Sequence, residues 1–199
     1  MNHKNIAFFD FDGTITNQDS LIAFVKFLVG KKAFYIGILK HWHILVGFKI
    51  GIFSNSFAKE ALSRYFFAGY PEEAFQKKCA MFLPLLKAML KDSALKRLCW
   101  HKERGDEVVL VSASFESYLK PLCDELGIIC IGSVLEVIDG RLTGRFLGAN
   151  CYGEQKVKRI TERFDLRAYE DITAYGDSRG DREMLALALK KNRFYRYFK

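Results

Sequence analysis

Acidic residues are missing from one long stretch of this chain. None lies between Asp19 and Glu60, where Lys26, Lys31, Lys32, Lys40 and Lys49 punctuate a run rich in Phe, Ile, Leu and Val. None follows Glu183 either, where Lys190, Lys191, Arg193, Arg196 and Lys199 make a purely basic tail. The formal charge of +8 over 199 residues suggests anionic partners. No helix-turn-helix, RNP or zinc pattern accompanies it, so nucleic acid is not the expected partner. Proline is scarce, three against fifteen glycines, which argues against a disordered or fibrous chain. Repeats and low-complexity tracts are lacking too. The five cysteines are odd in number and contain no C-x-x-C pair, as in a reducing compartment with small core thiols. His3, His41, His43 and His101 have no spacing suited to a shared metal. Asp10 and Asp12 interrupt the N-terminus before the apolar stretch of a secretory leader, so a cytoplasmic location is expected. Between Leu21 and Phe53 the longest uncharged run, His41–Phe48, is too short to span a bilayer.

What is present is a chain 50% hydrophobic, enough to bury one large core or a core plus an insert. Residues 5–10 read as a buried strand. From about Ser20 to Phe82 helical spacing takes over, broken near Gly30, Gly51–Ser54 and Gly69–Pro71, which predicts an insert of three or four helices. Helix and strand then alternate. A helix is expected over 87–104, a strand over 107–112, a helix over 115–126 and a strand over 128–131. A hairpin turning at Asp139-Gly140 follows, then a helix over 153–164, a strand over 172–175 and a helix over 181–189. This order predicts an α/β fold, a doubly wound, mostly parallel sheet, with residues 1–16 and 84–199 as core and 17–83 as helical insert.

In such sheets ligands bind at the carboxyl ends of the strands. Three strand ends carry polar clusters: Asp10-Phe-Asp12-Gly13-Thr14, Ser112-Ala-Ser114, and Gly176-Asp177-Ser-Arg-Gly180-Asp181. Lys156 follows Gly153-Glu-Gln at the start of a helix. Each also has an ordinary reading. Asp forms turns after strands, Ser112 or Ser114 suits a helix N-cap, a helical lysine is usually solvated, and Asp181 suits a helix N-terminus. Together they suit phosphoryl transfer. A carboxylate attacks phosphorus, a divalent cation offsets the charge, a hydroxyl and a lysine hold the phosphate oxygens, and a second carboxylate moves the proton.

Asp10-Phe-Asp-Gly-Thr14, Ser112, Lys156 and Gly176-Asp-Ser-Arg-Gly-Asp181 resemble, in order and spacing, the four motifs of the haloacid dehalogenase (HAD) superfamily. The helical insert after the first motif is similar to that superfamily's C1-type cap on a Rossmann-like core. Ile138-Asp-Gly-Arg-Leu-Thr-Gly-Arg145 followed by Gly153-Glu-Gln-Lys156 resembles the phosphoserine-phosphatase-like branch, subfamily IB. The resemblance implies a Mg²⁺-dependent phosphatase acting on a small phosphorylated metabolite such as phosphoserine. Asp10 would be the nucleophile and Asp12 the general acid/base. Ser112, Lys156 and the Gly13 backbone would hold the phosphate. Mg²⁺ would sit on the Asp10 carboxylate, the Asp12 carbonyl and Asp177, with Asp181 beside the metal or orienting Lys156.

The chain departs from phosphoserine phosphatases at three places. Asp19 stands near their substrate-binding glutamate, Ala113-Ser114 replaces a glycine-rich turn, and Gly180 stands where they usually carry asparagine. The basic, apolar insert allows peripheral contact with an anionic membrane. It therefore allows an alternative lipid-phosphate substrate, as in related phosphatidylglycerophosphate phosphatases. A non-catalytic phosphate-binding protein of the same fold is the remaining alternative.

Overall fold

The computed structural model describes residues 4–199, so His3 lies outside it. Five parallel strands form the central sheet in the order β3-β2-β1-β6-β7: Ile6–Phe9 (β1), Glu107–Phe115 (β2), Ile129–Ser133 (β3), Ile172–Gly176 (β6) and Arg193–Tyr195 (β7). A separate antiparallel hairpin is made by Leu135–Ile138 (β4) and Arg141–Phe146 (β5). Strand β1 is buried on both faces, so its residues are apolar without polar alternation. Ala7 and Phe9 face one apolar cluster, with Leu110, Tyr175, Phe82 and Leu122. Ile6 and Phe8 face the other, with Val109, Val111, Ile160 and Met184.

Between β1 and β2 lie six helices: Ser20–Val29 (α1), Lys31–Lys40 (α2), Trp42–Lys49 (α3), Asn55–Phe67 (α4), Glu72–Lys87 (α5) and Asp92–Glu103 (α6). The later helices are Glu116–Leu126 (α7), Glu154–Arg163 (α8) and Arg182–Leu187 (α9). The insert thus has five helices up to Lys87, more than the three or four expected. The extra break falls at His41, whose backbone turns out of helical geometry (φ −106°, ψ 17°) while its N–H still donates to Gly37 O (3.1 Å) and its Nδ1 lies 2.9 Å from the same oxygen. The helix expected over 87–104 begins later, at Asp92, because α5 runs on to Lys87. Between α5 and α6, Lys91 N–H donates to Ile15 O (2.9 Å) and Asn17 N–H to Met89 O (3.0 Å), so the two crossings between insert and core lie side by side.

The hairpin is fastened to the insert. Gly69 N–H donates to Leu142 O (2.8 Å), and the Gly144 backbone lies so close to α4 that a Cβ there would come within 2.4 Å of Arg64 Cα. Strand β2 runs on to Phe115, which puts Ser112 and Ser114 on the strand rather than at a helix N-cap. All five cysteines are free, and Cys79, Cys123 and Cys151 are buried.

Candidate active site

The register sets Phe9 beside both Leu110 and Tyr175, so Asp10, Ser112 and Asp177 all follow at the carboxyl edge. The chain leaves β1 toward β2 on one side, while β6 lies on the other, which makes this edge the switch point of the sheet. Asp10 is anchored by its own N–H, which donates to Tyr175 O (2.9 Å).

Lys156 is the centre of the cluster. It rises from the first turn of α8 and is buried, and its Nζ donates to Asp10 Oδ1 (2.6 Å), Asp181 Oδ1 (2.7 Å) and Val111 O (2.8 Å). Burial alone would lower the lysine pKa, but Asp10 and Asp181 outweigh it and hold the ammonium charged. Burial pushes the Asp10 carboxyl up to about 7 against the pull of Lys156. Burial would raise Asp181 too, yet the charge and hydrogen bond of Lys156 bring it below its ordinary value. Asp181 Oδ2 accepts from Asp177 N (3.2 Å), Ser178 N (2.9 Å) and Ser178 Oγ (2.7 Å). Both of its oxygens are therefore committed to shaping the loop and aiming the lysine.

Asp12 is held separately. Its Oδ1 accepts from Ser20 N (2.7 Å) and its Oδ2 from Ser114 Oγ (2.5 Å). Burial, then the charge of Asp19, raises its pKa. Ser112 is buried, faces the cleft, and its Oγ accepts from Ser114 N (3.0 Å). Asp19 is exposed, caps α1 by accepting from Ile22 N (2.9 Å), and lines the cleft.

Carboxylate oxygens of Asp10, Asp177 and Asp181 lie within 4.8 Å of one another, an all-oxygen set suited to a hard divalent cation. With Asp181 already committed, Asp10 and Asp177 fit as its carboxylate ligands. Gly13 makes this possible. Its φ is +81°, and a Cβ there would fall 2.4 Å from Asp177 Oδ2. Burial, then the charge of Asp181, raises the Asp177 pKa.

Three contributors were not singled out by the sequence. Thr14 Oγ1 lies within hydrogen-bond reach of Asp10 Oδ2 (3.2 Å) and Asp177 Oδ1 (3.3 Å); its place in the DFDGT run was the available signal. Ser114 joins Asp12 to a buried chain, with Ser20 Oγ 3.3 Å away and Tyr118 Oη 3.1 Å from Ser20. Lys59 of α4 lines the cleft and donates to Ala113 O; burial lowers its pKa to about 8 against the charges of Asp12 and Asp19. Nothing in a helical lysine at that position marked it. The Gly180 departure also has a structural cause. The Tyr152 ring packs over it, and a Cβ would fall 2.3 Å from that ring.

A family model described as haloacid dehalogenase-like hydrolase matches residues 7–186, and the chain belongs to that family. It is a hydrolase whose fold and relatives are those of the family's phosphatases. Protein CicA of Caulobacter vibrioides is 33% identical, covering 96% of this chain and 85% of the relative. A histidinol-phosphatase of Neisseria meningitidis is 28% identical over 92% of this chain and 87% of its own. Among solved structures, a protein of unknown function from Bordetella pertussis aligns with TM-score 0.81 and 22% identity over 94% of this chain and 88% of its own. A phospho-aspartyl intermediate analogue of phosphoserine phosphatase aligns with TM-score 0.62 and 21% identity over 94% and 84%. These two likenesses bear on the fold.

Proposed function

We propose that the protein hydrolyses a phosphomonoester through an aspartyl-phosphate on Asp10, with Mg²⁺ held by the Asp10 and Asp177 carboxylates and the Asp12 carbonyl. The observation that carries this reading is Lys156, buried between Asp10 and Asp181 beside an oxygen cluster fit for a cation. A bound cation supplies charge neutralisation, letting one anion approach another.

An Asp10 carboxylate oxygen attacks phosphorus as the ester P–O bond breaks, and Asp12 gives its proton to the departing alkoxide oxygen. Asp12, now ionised, takes a proton from water. The water oxygen attacks phosphorus, the bond to Asp10 breaks, and inorganic phosphate leaves. Lys156, Ser112 and the backbone at Gly13 hold phosphate oxygens during both displacements. Ser114 and Ser20 keep the Asp12 carboxyl aimed into the cleft. Residues 17–83 act as the cap and the remainder as the core. The substrate is a small phosphorylated compound that fits a cleft of about 520 Å³. Phosphate release from a panel of phosphomonoesters, with and without Mg²⁺ and with Asp10→Asn as control, tests the reading. Metal-dependent release lost in the variant is expected, and release unchanged in the variant contradicts it.

A second reading concerns location. Leu39 (72% exposed), Ile52 (69%), Ile50 (65%) and Trp42 (60%) project from α2, α3 and the turn after them, among Lys31, Lys32, Lys40 and Lys49. Apolar side chains amid unopposed lysines suit the headgroup region of an anionic bilayer. This supports peripheral membrane contact; no helix of the described residues is long and apolar enough to cross a membrane.

A further inference from the structure

The catalytic cleft does not end at its polar groups. Asp10, Asp12 and Lys156 line one part of it, and Leu21, Ile22, Leu45 and Leu62 line another. Those same four leucine and isoleucine residues also border a second cavity of about 320 Å³, set among α1, α2, α3 and α4. Its remaining walls are apolar except for Ser63, with Phe34 and Phe66 among them. Packed interiors contain few voids larger than a water molecule. An apolar cavity of about 150 Å³ stays dry and takes up a hydrocarbon such as benzene. A cavity of about 320 Å³ falls at the lower end of the usual range for ligand sites, roughly 300–1,000 Å³.

We propose that this second cavity is a binding site for the apolar tail of the substrate, making the substrate an amphiphilic phosphomonoester. The inference rests on the phosphomonoesterase reading above and names the class of compound that reading leaves open. The phosphate lies at Lys156, a short polar head passes Asp19 and Lys59 at the cleft wall, and the hydrocarbon continues past Leu45 and Leu62 into the cavity. A charged amino-acid phosphate leaves that apolar space unused. The glycines of the outer helices help to define it. Gly37 sits against Phe66 and Gly47 against Phe53, so close that a Cβ at either would come within 2.4 Å of a ring carbon. Gly37 thereby draws α2 onto α4, Gly47 folds the turn after α3 back onto that helix, and α2 and α3 wall the cavity with Phe34, Ile38 and Leu45.

The test is phosphate release from butyl, hexyl and octyl phosphate in free solution, with p-nitrophenyl phosphate as a tail-free control. Each methylene moved from water to an apolar site is worth about fourfold, so kcat/KM is expected to rise at least about tenfold from butyl to octyl. Val25→Phe, at a position that lines only the second cavity, is expected to erase that rise and leave p-nitrophenyl phosphate turnover unchanged. Independently of any variant, octylphosphonate should inhibit the wild-type protein at least about tenfold more tightly than butylphosphonate. A flat series together with equal inhibition overturns the tail site while leaving the Asp10 chemistry standing. Chain-length-dependent phosphonate binding with no turnover of any ester upholds the tail site and fails the chemistry. A further arm supplies a diacylglycerol phosphate in phosphatidylglycerol vesicles. Hydrolysis there identifies a bilayer source, and hydrolysis of free octyl phosphate alone identifies a soluble amphiphile.

Discussion

Lys156 sits between two carboxylates with almost no water around it, so its contribution has to be judged against leaving them facing each other unscreened. Removing one member of a buried ion pair costs about 3–5 kcal/mol. Lys156→Met is therefore expected to lose stability of that order in urea unfolding, as well as activity; a loss below about 1 kcal/mol would contradict the arrangement. Lys59 gives a pH prediction. Burial brings its pKa down to about 8, with Asp12 and Asp19 opposing the shift and the charge of Lys156 adding to it. Below that value the ammonium is charged and attracts the anionic substrate; above it the charge is lost. The expected kcat/KM profile falls as pH rises through about 8, and Lys59→Met flattens that limb while lowering the plateau. A wild-type limb that persists in the variant would assign it elsewhere. Asp10, Asp12, Ser112, Asp177 and Asp181 were legible as one group because a strand-end rule brings distant residues together without knowledge of packing, and Lys156 only from its place after Gly153-Glu-Gln in the resembling motif. Lys59, Ser114 and Thr14 were not, because their roles follow from which helix or side chain happens to lie opposite.

At the scale of elements, the α/β alternation was legible from buried strands separated by helical spacing, and the hairpin from Asp139-Gly140. One helix break was not, and another was placed a turn or more too early. The pattern from Lys31 to Lys49 contains no proline, and the break at His41 is a change of backbone conformation that no helix-breaking residue marks. The break before α6 depends on pairing with residues 15–17, a contact remote in sequence. Strand β7 was missed for the same reason. Three residues carry no readable period, and its identity lies in parallel pairing with β6 from Ala174 to Gly176. The packing of α2 on α4 yields a test. A valine at Gly37 would meet the Phe66 ring, so Gly37→Val is expected to loosen the outer helices. Amide exchange should then speed up in α2 and α3 and stay unchanged in β1 and β6. Uniform acceleration, or none, would contradict the view that the cap's outer layer rests on that contact.

Across the whole molecule, the catalytic cleft, the apolar cavity and the basic apolar surface all involve the same inserted helices. α2 and α3 contribute walls within and exposed Leu39 and Trp42 outside, with exposed Ile50 in the turn that follows. Co-sedimentation with phosphatidylglycerol vesicles is expected to exceed that with phosphatidylcholine vesicles, to weaken with salt, and to fall at least about tenfold in a Leu39→Glu/Trp42→Glu double variant. Equal partition to both vesicle types, or an unaffected double variant, would remove the membrane reading and leave the site chemistry untouched.

That chemistry turns on one covalent bond. Turnover of a phosphomonoester with Mg²⁺, stopped in acid and followed by mass spectrometry of the peptide between Lys4 and Lys26, tests it most directly. A phosphoryl group on Asp10 is expected in the wild-type protein, with neither label nor turnover in Asp10→Asn. Sustained turnover in Asp10→Asn, or a phosphoryl group trapped on another residue, would contradict it.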